Sequence, residues 1–149
     1  MPNAAGGLYL EDLAVGMAAQ SGRTVTEADI LAFAAASGDT NPVHFDAEYA
    51  ATTRFKERIA HGMLTAGHVS AVIGTRLPGP GAVYVSQTLS FRRPVRIGDT
   101  VTTRVTITAI DTAKGFVTLD CACSVGGKTV LDGQAVVLVA ATPTGTVEA

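Results

Sequence analysis

The sequence lacks a basic excess. Eleven lysines and arginines face thirteen aspartates and glutamates, a formal net charge of −2. Nucleic-acid binders usually carry a clear positive surplus, so that class is set aside. A long apolar run is also missing: no uninterrupted stretch reaches the roughly 18 residues a membrane span needs. No basic segment followed by an apolar one opens the chain, so no secretory signal is read. Cysteine is scarce, with only Cys121 and Cys123. Two apart on one face of an expected strand, they have a poor geometry for a mutual disulfide. We read them as reduced core or surface residues of a cytoplasmic protein. There is no internal repeat and no low-complexity segment. What remains is 149 residues, 47% hydrophobic and 16% charged. That suits one domain with a sizeable core, residues 1–149, with 1–7 and 142–149 expected as loose termini.

The stretch from Ser37 to Gly74 organises the rest. It holds all three histidines, His44, His61 and His68, and an acid, Asp39, five residues before His44. Thr26 is a good N-cap for a helix from Glu27 to about Ala36, preceded by a short strand from Gln20 to Val25. Gly38 is the expected stop signal, and Pro42 pushes Asn41 out of the helical region. A tight turn there can aim Asp39 and His44 at one point, a candidate acid/base site. Asp46 is expected to cap a second short helix, Ala47 to about Thr53. The following charged segment, Arg54 to Arg58, reads as solvated. Gly62 to about Leu77 is apolar on more than one face, which predicts a buried helix. Its glycines, Gly62, Gly67 and Gly74, cost helix propensity and predict close approach by a sheet or a ligand.

From Ala82 onward the pattern turns to Val, Thr and Ile. Strands are predicted over Val83–Phe91, Thr100–Ile110, Phe116–Val125 and Thr129–Ala140, separated by Gly-Asp, Lys-Gly and Gly-Gly turn signals. The connections are too short for helical crossovers, so the sheet should be antiparallel and able to curl around one helix.

Three motifs carry a family resemblance: S-G-D-T-N-P-V-H at Ser37–His44, H-G-M at His61–Met63, and S-F-R-R-P-V-R-I-G-D at Ser90–Asp99. Together they resemble the MaoC-like dehydratases, and within these the R-specific enoyl-CoA hydratases, over nearly the whole chain. The resemblance implies an α+β hotdog fold, a long central helix wrapped by a curved antiparallel sheet. It implies Asp39 and His44 as the catalytic pair, the Gly62 N–H as a donor to the thioester oxygen, and Ser70 as a supporting polar residue. Some relatives are double-hotdog chains, so two copies of this one would be needed. A homodimer is expected.

Hydration of an enoyl thioester needs a base for water, a donor for the thioester oxygen and a proton for Cα. Asp39 and His44 can share the two proton transfers. The start of the helix at Gly62 can supply unpaired N–H groups. No metal and no cofactor are expected; the coenzyme A thioester is the substrate. Asp39 alone would read as a turn residue, and Asn41 as a residue shaping the loop. His61 and His68 lie too far apart along one helix to share a metal; His61 reads as a helix-start residue and His68 as a packing one. Arg92, Arg93 and Arg96 can meet coenzyme A phosphates or stay solvated. Two other activities compete: a hotdog thioesterase and a 3-hydroxyacyl-carrier-protein dehydratase. The first usually places a carboxylate on the central helix, and none occurs between Arg58 and Pro80.

Overall fold

The structure, a computed structural model, describes residues 2–144. After a 3₁₀ turn at Leu10–Asp12 come β1 (Ala18–Thr24), α1 (Glu27–Ser37), α2 (Pro42–Phe45), α3 (Ala47–Ala51) and α4 (Gly62–Thr75). Then follow β2 (Val83–Gln87), β3 (Ser90–Phe91), β4 (Thr100–Asp111), β5 (Phe116–Val125) and β6 (Lys128–Leu138). The sheet runs β1-β4-β5-β6-β2, with β3 also on β6, and every pairing is antiparallel. Gly126 and Gly127, both at positive φ, close the β5–β6 hairpin as their pairing predicts.

Alternation builds the core. Val101, Thr103, Val105 and Ile107 of β4 are buried, as are Val117, Leu119, Cys121 and Cys123 of β5. This is one sheet face. Against it α4 lays Leu64, Thr65, Val69, Val72 and Ile73. Each fully buried aliphatic side chain contributes about 1.5–3 kcal/mol, so this seam dominates the energetics. Both thiols are free and buried, and burial pushes Cys121 up to about 11. Among the described residues no helix is long and apolar enough to cross a membrane.

The helix α1 forms where its caps predict. Thr26 Oγ1 accepts from Asp29 N at 3.1 Å, and Asp29 returns the bond to Thr26 N at 2.9 Å. Gly38 ends it at φ 80°, a left-handed position glycine adopts without a Cβ penalty. Asp46 caps α3, accepting from Glu48 N and Tyr49 N.

Four expectations are corrected. The helix α4 is not buried all round: Met63 is 53% exposed, and Gly67, Ser70 and Gly74 on the same side are exposed too. Only Gly62 meets the close approach expected of the three glycines, by Phe91; Gly67 and Gly74 face open space. The single strand expected over Val83–Phe91 is two, because the pairing with β6 is interrupted opposite Gly133. There the Thr88 carbonyl fills the place a Cβ would take, and Thr88 N donates to Gln134 O at 2.9 Å. Residues 3–7, expected to be loose, are tied down. Asn3 Oδ1 accepts from Ala5 N and Gly7 N, both at 3.0 Å, and its amide donates to Pro80 O at 2.8 Å. At the other end Thr142 N donates to the Glu11 carboxylate at 2.8 Å; residues 145–149 of the expected tail lie outside the described residues.

Candidate active site

The loop after α1 is shaped by its own side chains. Ser37 Oγ accepts from Asp39 N at 3.1 Å, Asp39 Oδ1 from Asn41 N at 3.2 Å, and Asn41 Oδ1 from Val43 N at 3.3 Å. Each is a local turn that competes with continuing the helix. Pro42 then starts α2, where its missing N–H costs nothing. The tight turn expected here is in fact one turn of helix, which carries His44. Asn41 caps that turn and shapes the loop, as its position suggested.

His44 is 7% exposed. Its Nδ1 lies 2.8 Å from Ile59 O. A carbonyl only accepts, so Nδ1 carries the proton and Nε2 is left bare. Burial is the largest influence and lowers its pKa below the ordinary 6.5; the Ile59 carbonyl opposes this, the neighbouring His61 adds to it, and the Asp39 charge opposes it. The ring is thus neutral at pH 7, a base rather than a cation. Asp39 stays exposed, a carboxylate open to solvent beside it.

His61 joins this pair, which its position at a helix start did not suggest. It is 2% exposed, and its Nε2 lies 3.0 Å from Asp39 O. Its ring stacks on His44 with centroids 3.9 Å apart. The ligand atoms of Asp39, His44 and His61 all lie within 4.8 Å of one another. That is close enough for a cation by distance alone. However, His44 Nδ1 and His61 Nε2 are taken by carbonyls, and the remaining ring lone pairs lie in two planes tilted by only 30°. Lone pairs in stacked planes do not converge on one ion.

Arg58 was expected in solvent and is not. Its Nε donates to His44 O at 2.7 Å, and its two terminal nitrogens grip Glu27 at 2.8 and 2.7 Å. This bidentate pair ties the start of α1 to the turn that carries His44. Sequence gave no sign of it, because Glu27 and Arg58 are 31 residues apart.

Beside the three side chains lies a cavity of about 390 Å³, lined by Asp39, His61, Gly62, Thr65, Phe91 and Leu131 among others. The His61 side chain makes no capping bond at the start of α4. The first N–H groups of that helix, at Gly62 and Met63, are thus left without a side-chain cap, and both residues line the cavity at the positive end of the helix dipole. Arg54, Arg92 and Arg93 also line it; Arg92 is paired with Asp132 at 3.1 Å, while Arg93 donates to Thr129 O at 2.9 Å. Arg96 instead pairs with Glu57 at 3.1 Å.

A model of the MaoC like domain matches residues 14–122. The chain belongs to the MaoC-like family. An (R)-specific enoyl-CoA hydratase of Rhodospirillum rubrum is 56% identical over 133 residues, 89% of this chain and 92% of the relative. A 3-hydroxybutyryl-CoA dehydratase of Methylorubrum extorquens is 52% identical over 132 residues, 89% and 84%. Among solved structures, the (R)-hydratase from Aeromonas caviae involved in PHA biosynthesis superposes with a TM-score of 0.84 at 42% identity, covering 87% of this chain and 98% of that one. The MaoC-like fold, a hotdog of α4 on a curved antiparallel sheet, is the one the motifs implied.

Not every expected site residue is gathered. Asp39 lies beside His44 and lines the cavity with Gly62, whereas His44 and the capping residue Asn41 are not among the lining residues. Ser70 lies apart: it is on the exposed side of α4, two turns or about 12 Å beyond Gly62 along the axis, and away from the cavity lining. His68 also lies elsewhere, facing β1 beside Ser21, Arg23 and Thr103. Thr65 went unnoticed in the sequence; it is buried, lines the cavity, and its hydroxyl has no partner among the described residues. A helical Thr among apolar residues offers no periodicity signal that could have marked it.

Proposed function

We propose that this chain adds water to trans-2-enoyl-CoA to give (R)-3-hydroxyacyl-CoA, and catalyses the reverse dehydration, as a hydro-lyase of fatty acid metabolism. One observation carries the reading: a neutral imidazole, His44, lies within 4.8 Å of an open carboxylate, Asp39, and Asp39 lines a cavity together with the uncapped start of α4. Water held between Asp39 and His44 Nε2 loses a proton as its oxygen attacks Cβ. The π electrons move toward the carbonyl, and the enolate-like oxygen takes hydrogen bonds from the Gly62 and Met63 end of α4. Such donors are typically worth about 3–4 kcal/mol. The enolate collapses as Cα takes a proton from the same pair, so every proton removed from water is returned or held. The reaction asks for no metal and no cofactor.

The enoyl-CoA and 3-hydroxybutyryl-CoA thioesters named for the relatives favour coenzyme A as carrier, and Arg54, Arg92 and Arg93 at the cavity suit its phosphates. We further read the active form as a homodimer. The edge strand β2 leaves Val83, Tyr84 and Val85 57%, 38% and 52% exposed, an unpaired apolar edge that a second copy can cover. The two free buried thiols fit a reducing, cytoplasmic setting.

The test is to follow crotonyl-CoA by loss of its conjugated absorbance, with a thiol reagent reporting free coenzyme A in parallel. Hydration is expected, sensitive neither to chelator nor to added metal. Release of coenzyme A with the double bond intact would mean a thioesterase. A rate seen only with the acyl carrier protein thioester would move the substrate to that carrier.

A further inference from the structure

His61 is placed unlike an ordinary helix-start residue. Ser, Thr, Asp and Asn usually hold that position because their side chains bond the first N–H groups. The His61 side chain makes no such bond. It turns inward instead, and almost nothing of it remains exposed.

Its two nitrogens are in unequal positions. Nε2 lies 3.0 Å from the Asp39 carbonyl, an acceptor, so Nε2 carries the proton. Nδ1 is then a bare acceptor, buried and with no partner among the described residues. Leaving a buried acceptor unpaired is costly. If the position needed only a ring in the core, phenylalanine would fill it without that cost. What imidazole adds is the N–H that reaches Asp39.

The ring face has a second use. It stacks on His44 at 3.9 Å and is backed by Phe33 at 4.7 Å and Phe45 at 5.8 Å. Phe33 belongs to α1, which ends just before Asp39, and Phe45 to α2, which carries His44, so both elements press on this ring. The ring touches both members of the pair: Asp39 is held at its main chain by Nε2, and His44 by its ring plane. Ile59 O fixes the other edge of His44.

We propose that His61 is a positioning residue, one buried imidazole that sets the separation of Asp39 and His44 by bonding the first and stacking on the second. This rests on the reading of Asp39 and His44 as the reacting pair.

Two variants divide the two links. His61→Phe keeps a ring against His44 and loses the N–H to Asp39. His61→Gln keeps an N–H near the Nε2 position and loses the stacked face. Each is measured for kcat, KM and a thermal melt, beside Asp39→Asn. Each is expected to lower kcat about 10–100-fold with KM little changed, since a misplacement near 1 Å costs about that much. A purely structural role would lower stability without this kcat-specific loss. Wild-type kcat, or a rise in KM in place of the fall in kcat, in either folded variant overturns the proposal. Where neither variant folds, long-range proton–nitrogen NMR of the unmodified protein decides. A His61 ring protonated at Nε2 alone supports it, and protonation at Nδ1 overturns it. Full activity in Asp39→Asn would instead overturn the reading beneath, so the two failures are told apart.

Discussion

Gly62→Ala tests the start of α4 at the scale of one methyl group. A Cβ at this position would lie 2.7 and 2.8 Å from two atoms of the Phe91 ring, where 3.4–4 Å is ordinary contact. Something must move by about 1 Å. Phe91 is 54% exposed on the two-residue strand β3, so its ring can swing outward, and Gly62 has no positive φ to forbid alanine. Stability should therefore change by no more than about 1 kcal/mol, helped by the better helix propensity of alanine. Activity should not escape so lightly. If the first turn of α4 shifts instead, or the swung ring narrows the cavity it lines, the N–H donors miss the thioester oxygen. Losing one such donor costs about 10²–10³ in kcat. The assay is crotonyl-CoA hydration beside a circular-dichroism melt. Phe91→Ala in the same chain removes the obstacle and should restore at least a tenth of the wild-type rate. A Gly62→Ala protein with unchanged kcat would refute the donor role assigned here; a double variant no better than the single would refute Phe91 as the cause.

Three further outcomes are expected. Asp39→Asn and His44→Gln should each lower the rate about 10²–10⁴-fold without unfolding the protein, and the double variant should be little worse than either, because groups sharing one water act as a unit; additive losses would separate their roles. Burial depresses both His44 and His68 below the ordinary 6.5. Between the folded and unfolded values the unfolded chain binds protons that the folded one refuses. Stability is then full above 6.5 and falls as the pH drops beneath it. Melting temperatures at pH 7.5 and 5.5 check this, and a flat or rising trend on acidification contradicts it. Finally, Val83→Arg on the β2 edge should convert the proposed dimer to monomer in sedimentation at micromolar concentration, and an unchanged dimer would place the interface elsewhere.

Much of this was legible along the chain because the signals are local. Thr26 with Asp29, Gly38, Asn41 with Pro42, and Gly126 with Gly127 each state a backbone conformation within a few residues. The strands β4 and β5 alternate cleanly because one face is covered by α4. The site was legible as far as its motif is contiguous, from Asp39 to His44 and on to Gly62. What stayed hidden depends on distant partners. Arg58 looked like a solvated charge because Glu27 and the His44 carbonyl reach it only after folding. Asn3 looked like a frayed end because its contacts with Pro80 span 77 residues. The two-sided apolar run over α4 suggested complete burial, yet one sheet can cover only one side of a helix. Ser70 fell on the uncovered side for that reason.

The two thiols in β5 make the protein its own reporter of opening. Alkylating and disulfide reagents attack the thiolate. With Cys121 pushed up to about 11, only about one molecule in a thousand presents that form near pH 8, and then inside the sheet. The colorimetric reagent that counts released coenzyme A should therefore pass over the intact enzyme, and its slow blank would measure how often β4, β5 and β6 part. Titrating that blank with denaturant would chart the opening of the sheet around Cys121 and Cys123. No label would have to be introduced.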